Sequence, residues 1–132
     1  MRFTHALTIP ANTSKAAPVR ETENVTFGIL AQVQIQIPPG PAGLAGVRVY
    51  RWSHQIVPAS PDLWLVGDDD IFTLPERVEL HEAPLELLCE GYNEDDLYEH
   101  TIILHFDVLP EDPAGPKAQI GILEQLRQLF GL

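Results

Sequence analysis

Five histidines, one cysteine, two tryptophans and two acidic clusters are the side chains of this chain with the means to do chemistry. A mononuclear metal site on a strand uses two histidines two positions apart, so that both imidazoles point the same way, with a further acid or histidine downstream. His100 and His105 are five positions apart and face opposite sides. With no His-x-His pair anywhere, no metal site is expected; His100 reads as a core or interface histidine with a satisfied ring nitrogen, and His105 as a surface one. Asp68-Asp69-Asp70 and Asn93-Glu94-Asp95-Asp96 supply the oxygen ligands that Ca²⁺ prefers, but neither has EF-hand spacing. Asp and Asn equally serve the backbone geometry of turns, so both clusters read as solvated turn charge.

Cys89 lies in Leu85-Glu86-Leu87-Leu88-Cys89 on the parity of Leu85 and Leu87, which marks a buried thiol rather than a nucleophile. Ser14, Ser53 and Ser60 stand in no nucleophile motif, and no Gly-x-Ser-x-Gly elbow, phosphate-cradling loop or dinucleotide fingerprint occurs. Glutamates on strands nominate no acid/base pair, since that chemistry needs a spatial separation that sequence does not reveal. The expectation is a non-enzyme with no catalytic residues and no cofactor. Arg48, Tyr50 and Trp52 share one face of a strand, and Tyr50, Trp52 and Trp64 are the candidate ligand-binding residues, as stacking platforms for a carbohydrate. Packing is the commoner role of such aromatics.

The 132 residues are the size of one domain, long enough to bury about two thirds of the unfolded chain's surface. A formal charge of −11 repels phosphate backbones, so nucleic acid is not an expected partner. No apolar run approaches the roughly 20 residues that span a bilayer, and no membrane is expected. Met1-Arg2-Phe3-Thr4-His5 leads straight into alternation without an apolar signal core, so no secretory leader is expected. One cysteine allows no intrachain disulfide, in keeping with assembly in a reducing compartment.

The elements that must position these groups are strands. From Tyr98 to Val108, the residues Tyr98, His100, Ile102, Leu104, Phe106 and Val108 fall on one parity, the pattern of a strand with one buried face. Val25 to Ile37 alternates likewise, with Val25, Phe27, Ile29, Ala31, Val33, Ile35 and Ile37 inward and a bulge permitted near Gly28. Phe3 to Ile9 forms a first strand, and residues 10–22 read as an extended arm or loop. Further strands are expected at Val47–Trp52, Leu63–Val66, Glu76–Leu80 (Val78 and Leu80 inward, Glu76 solvated) and Pro84–Glu90. A break is expected at Pro75, and an acidic turn over 91–96.

Seven or eight strands separated by Gly, Pro and Asp predict an all-β fold, an antiparallel β-sandwich of jelly-roll or immunoglobulin-like topology, over residues 1–109. A Pro/Gly linker at 110–116 precedes a change of period. Ile122, Leu123, Leu126, Leu129 and Phe130 follow three-and-four spacing and predict a C-terminal amphipathic helix over 117–132. A helix that short is marginal alone in water, so those side chains are the expected protein-interaction anchors.

Three stretches carry a resemblance: Thr8-Ile9-Pro10-Ala11-Asn12-Thr13-Ser14-Lys15, Ile37-Pro38-Pro39-Gly40-Pro41-Ala42-Gly43-Leu44, and Tyr92-Asn93-Glu94-Asp95-Asp96-Leu97-Tyr98-Glu99-His100-Thr101. Together they resemble small β-rich structural proteins of tailed bacteriophages, over about residues 3 to 109. The resemblance implies a virion accessory role, such as a capsid decoration subunit. It also implies self-association, often as trimers, and contacts with other virion proteins after assembly in the host cytoplasm. No catalytic residues come with it.

Overall fold

The computed structural model describes residues 1–113, and within them the chain is all-β with no helix. Its strands are β1 (Arg2–Ile9), β2 (Val19–Asn24), β3 (Gly28–Ile37), β4 (Ala45–Arg51), β5 (His54–Val57), β6 (Leu65–Val66), β7 (Asp70–Leu80), β8 (Glu86–Asn93) and β9 (His100–Pro110). They form two antiparallel sheets, one ordered β1-β9-β3-β7 and the other β2-β8-β4-β5 with β6 also paired to β4. Leu7, Ile35, Leu104 and Phe106 from the first sheet and Val47, Val49, Leu87 and Cys89 from the second belong to one buried cluster. The alternation of each strand sends these side chains to the same interior, and burying each of the Val, Leu, Ile and Phe side chains contributes roughly 1.5–3 kcal/mol.

The last strand keeps the expected parity, with Ile102, Leu104, Phe106 and Val108 buried, but it begins at His100, and Tyr98 is exposed in the loop before it. The stretch 25–37 departs further. Val25 donates its amide to Leu85 outside any strand, β3 starts at Gly28, and the register slips between Leu30 and Gln32 in both ladders. That bulge switches the parity, so Leu30 rather than Ile29 or Ala31 is buried ahead of Val33, Ile35 and Ile37.

Three more boundaries differ from expectation. Pro75 does not interrupt β7, because β7 is a sheet edge where a missing amide leaves no ladder bond unmade on the open side. Within β7, Glu76 alternates with Phe72, Leu74, Val78 and Leu80 and is half-buried rather than solvated. Val19–Asn24 is strand β2, so only residues 10–18 of the expected arm are loop, and Thr13 bridges to Asn93 there. Gly91, Tyr92 and Asn93 likewise belong to β8, which leaves the acidic turn to start at Glu94. The helix expected over 117–132, with Ile122, Leu123, Leu126, Leu129 and Phe130, lies outside the described residues. No helix among the described residues is long and apolar enough to cross a membrane.

Candidate functional site

The connections 10–18, 38–44, 67–69 and 94–99 meet at one end of the two sheets. Asn12 and Thr13 donate to the carbonyls of Asp95 and Asn93, Glu94 to that of Leu44, and Gly43 to that of Gly67. Asp68 Oδ1 accepts the amides of Gly40 and Ala42 at 2.9 Å each, and these bonds hold its carboxyl below the usual range. Asp95 does the same for the 94–99 loop. Its Oδ1 accepts the amides of Leu97 and Tyr98 while Oδ2 lies 2.8 Å from His100 Nε2. The Leu97 amide and the His100 ring lower its pKa.

This end is therefore ordered backbone with side chains held out from it. Leu97 and Tyr98 are 74% and 67% exposed, Leu44 joins them, and Glu94, Asp96, Glu99, Asp68 and Asp69 stand exposed around them. The His100 expectation of a satisfied ring nitrogen fits what is observed, with Asp95 as partner. His105 bonds Thr4 Oγ1 at 2.8 Å on the opposite side of β9.

On the outer face of the second sheet, Arg48 gathers two of the three predicted aromatics. Its guanidinium lies 4.0 Å over Trp64 and 5.4 Å from Tyr50, and its Nε donates to Glu90 at 2.9 Å. Arg20 pairs with the other Glu90 oxygen, which explains how a carboxylate this buried remains stable. Tyr92 meets Trp64 edge-on at 4.8 Å, so Trp64 is packed between neighbours. Trp52 is not part of this group. It follows the end of β4 in a two-residue turn with a φ of 54°, half exposed, and stacks on Arg51 instead.

Sequence reasoning missed a third constellation, at the edge where β1 and β2, outer strands of different sheets, come together. His5 Nε2 lies 2.8 Å from Glu21 and Nδ1 3.0 Å from Glu23. Ionised carboxylates only accept, so the two glutamates favour the imidazolium, the form that donates from both ring nitrogens. Burial lowers the His5 pKa, but the hydrogen bonds from Glu23 and Glu21 outweigh it and the net shift is upward. The available signal was His5 on the inward parity of Phe3, Leu7 and Ile9, with two glutamates at alternate positions of β2.

A folded-state pKa above the unfolded value of about 6.5 gives stability that is complete below that pH and is lost as pH rises through the folded value. Melting temperatures taken from pH 6 to pH 8.5 are expected to fall less steeply for His5→Gln than for the parent over that interval, by roughly the protonation linkage of one group. Parallel curves for the two proteins would show that the glutamates contribute nothing through the proton.

Cys89 is fully buried, and burial, with Glu23 and Glu21 nearby, pushes its thiol up to about 12, so it is a protonated core side chain at neutral pH. Among the described residues no three His, Cys, Asp or Glu side chains group as metal ligands. No family model, no curated protein and no solved structure matches this chain.

Proposed function

We propose that the chain is a non-catalytic jelly-roll subunit that docks on a larger protein assembly through its loop end. The strand order supports the topology. With the short β6 set aside, the orders β1-β9-β3-β7 and β2-β8-β4-β5 match those expected of eight strands wound as two Greek keys, an architecture that includes viral capsid domains. A virion accessory or capsid decoration role, expected from the resemblance, belongs to this proposal.

The observation that carries the docking is the exposure of Leu97, Tyr98 and Leu44 on loops whose backbone is tied down by Asp95, Asp68 and Asn93. Apolar side chains on a pre-ordered backbone lose little conformational entropy on binding. The acidic rim selects a basic partner surface. Self-association as trimers through the same end would bring like charges together, so it strengthens with salt, whereas docking on a basic partner weakens with salt.

Leu97→Asp combined with Tyr98→Ser tests the reading, because both positions are exposed and the fold is expected to survive. Native mass and co-sedimentation with the parent assembly are the readouts, and loss of association by at least about tenfold is expected. Unchanged association in both assays would rule the loop end out. The alternative expectation, a carbohydrate module stacking sugars on Tyr50, Trp52 and Trp64, finds less support, since Trp64 is taken up by Arg48 and Tyr92 and Trp52 lies apart.

A further inference from the structure

The two sheets have a second edge, opposite the one closed by His5, where β5 and β7 are outer strands. It is unevenly built, since β7 runs for 11 residues and β5 for 4. The inward side of β7 is left short of cover as a result. Phe72, Leu74 and Val78 are half-buried there and only Leu80, at the foot of the strand, is fully buried, whereas Leu7 and Ile9 of β1 are both sealed at the opposite edge. A groove of about 430 Å³ opens along the uncovered stretch, with Ile56, Val78 and Glu76 in its lining.

Glu76 is the polar member of that inward row, and it makes no ion pair among the described residues. Arg51 also lines the groove, but it turns its two terminal nitrogens to the carbonyls of Glu82, Pro84 and Glu86. Burial raises the Glu76 carboxyl, the shift of an acid taken from water without a cation beside it. An apolar cleft with one such acid in its wall fits an apolar segment that carries positive charge.

The chain leaves the sheets at the foot of this same edge. The Glu111 amide donates to the Phe27 carbonyl, and its carboxylate lies 3.5 Å from Nε2 of His81, the residue that follows β7. The His81 ring stacks on Phe27 at 4.8 Å, which fixes the exit against the strand end. Residues 114–132 continue from there, with Lys117 and Arg127 against Glu124 as their charges, in a chain whose net charge is −11. The helix that their spacing predicts over 117–132 is about 24 Å long. From Leu80 back to Phe72, β7 covers about 26 Å.

We propose that residues 117–132 fold back on their own domain and close the β5/β7 edge, laying the stripe of Ile122, Leu126 and Leu129 over Ile56, Leu74 and Val78 and bringing a cation to Glu76. The partner that an amphipathic segment of this length needs is then the sandwich it is tethered to. Tethering makes the docking intramolecular, so its strength does not depend on protein concentration. This surface shares no residue with the loop end proposed for docking, and it stands or falls separately.

The test is a nitroxide label on the full chain, read by nuclear magnetic resonance. Gln128→Cys, on the polar side of the predicted stripe, takes the label, while Cys89 stays unlabelled because it is buried and protonated. Amide peaks of residues 76–79 and the methyl peaks of Ile56 and Val78 are expected to lose most of their intensity at every protein concentration. Thr4 and Thr22, exposed at the opposite edge, are expected to keep theirs. Leu126→Asp with Leu129→Asp in the labelled chain is expected to restore the peaks of residues 76–79. No loss at those residues, an equal loss at both edges, or peaks that stay broadened in the double variant would each overturn the proposal. So would a loss seen only between molecules, in a mixture of nitroxide-labelled chains with isotope-labelled ones, because the groove would then hold a second copy's segment.

Discussion

Gly28→Ala is expected to cost the fold about 3 kcal/mol or more, among the largest effects of any single methyl in this chain. Gly28 opens β3 and pairs with Leu80 on one side and Pro110 on the other, so it is fixed in two ladders at once. Its φ is +154°, a conformation that L side chains rarely adopt. A Cβ there would fall onto the carbonyl oxygen of Leu109 and against Pro110 Cα, which are backbone atoms of the neighbouring strand and move only if the ladder opens.

Gly43→Ala is the control, since Gly43 also has a positive φ, of 81°, but its Cβ would meet nothing within 4 Å. The left-handed backbone alone costs about 1–2 kcal/mol there. Denaturant unfolding of both variants separates collision from conformation. Equal midpoints would mean that β3 and β9 part without penalty at this point.

The contrast between β9 and β3 explains what could be read from residue order. β9 lies between β1 and β3, its alternation has no inserted residue, and Ile102, Leu104, Phe106 and Val108 are inward as the pattern predicts. β3 shows as clean a period to the eye, yet one slipped register after Leu30 moves the buried face to the other parity. Pro75 misled for a related reason, because a proline is a strand breaker only where its amide is needed, and which strand is an edge is a property of the whole sheet.

The sites were less legible than the strands. Tyr50 and Trp64 were named in advance and do come together, but through Arg48, and Trp52 leaves their face because the turn after β4 reverses it. Arg51 and Glu76 carried a usable signal, since each continues the inward parity of apolar neighbours, Val47 and Val49 for one and Val78 and Leu80 for the other. His5 meeting Glu21 and Glu23 needed the pairing of two sheet edges, which no local pattern encodes.

Asn93→Ala is the second substitution expected to act strongly, and it ties the core to the loop end. Asn93 is fully buried at the end of β8 and its side chain makes three hydrogen bonds. Nδ2 donates to the carbonyl of Ile9 at 3.2 Å, where β1 of the other sheet ends, and to that of Tyr98 at 2.9 Å. Oδ1 accepts the amide of Asp95 at 3.0 Å. Removing the amide leaves the Ile9 carbonyl, a buried acceptor, without this donor and frees the 94–99 loop from its inner anchor. A loss of about 2–4 kcal/mol follows from two or three such groups.

For the docking proposed above, the consequence is larger than the number. Asp95 is placed by Asn93, and Asp95 in turn holds the amides of Leu97 and Tyr98 and the ring of His100. Amide exchange at Leu97 and Tyr98 is therefore expected to quicken in Asn93→Ala under conditions where the core amides of β9 stay protected. Association through the loop end is expected to weaken with it, although no exposed side chain has changed, because the apolar knobs then pay their ordering entropy on docking. If exchange at Leu97 and Tyr98 quickens while association keeps its full strength, the fixed backbone is irrelevant to docking and side-chain exposure alone carries it.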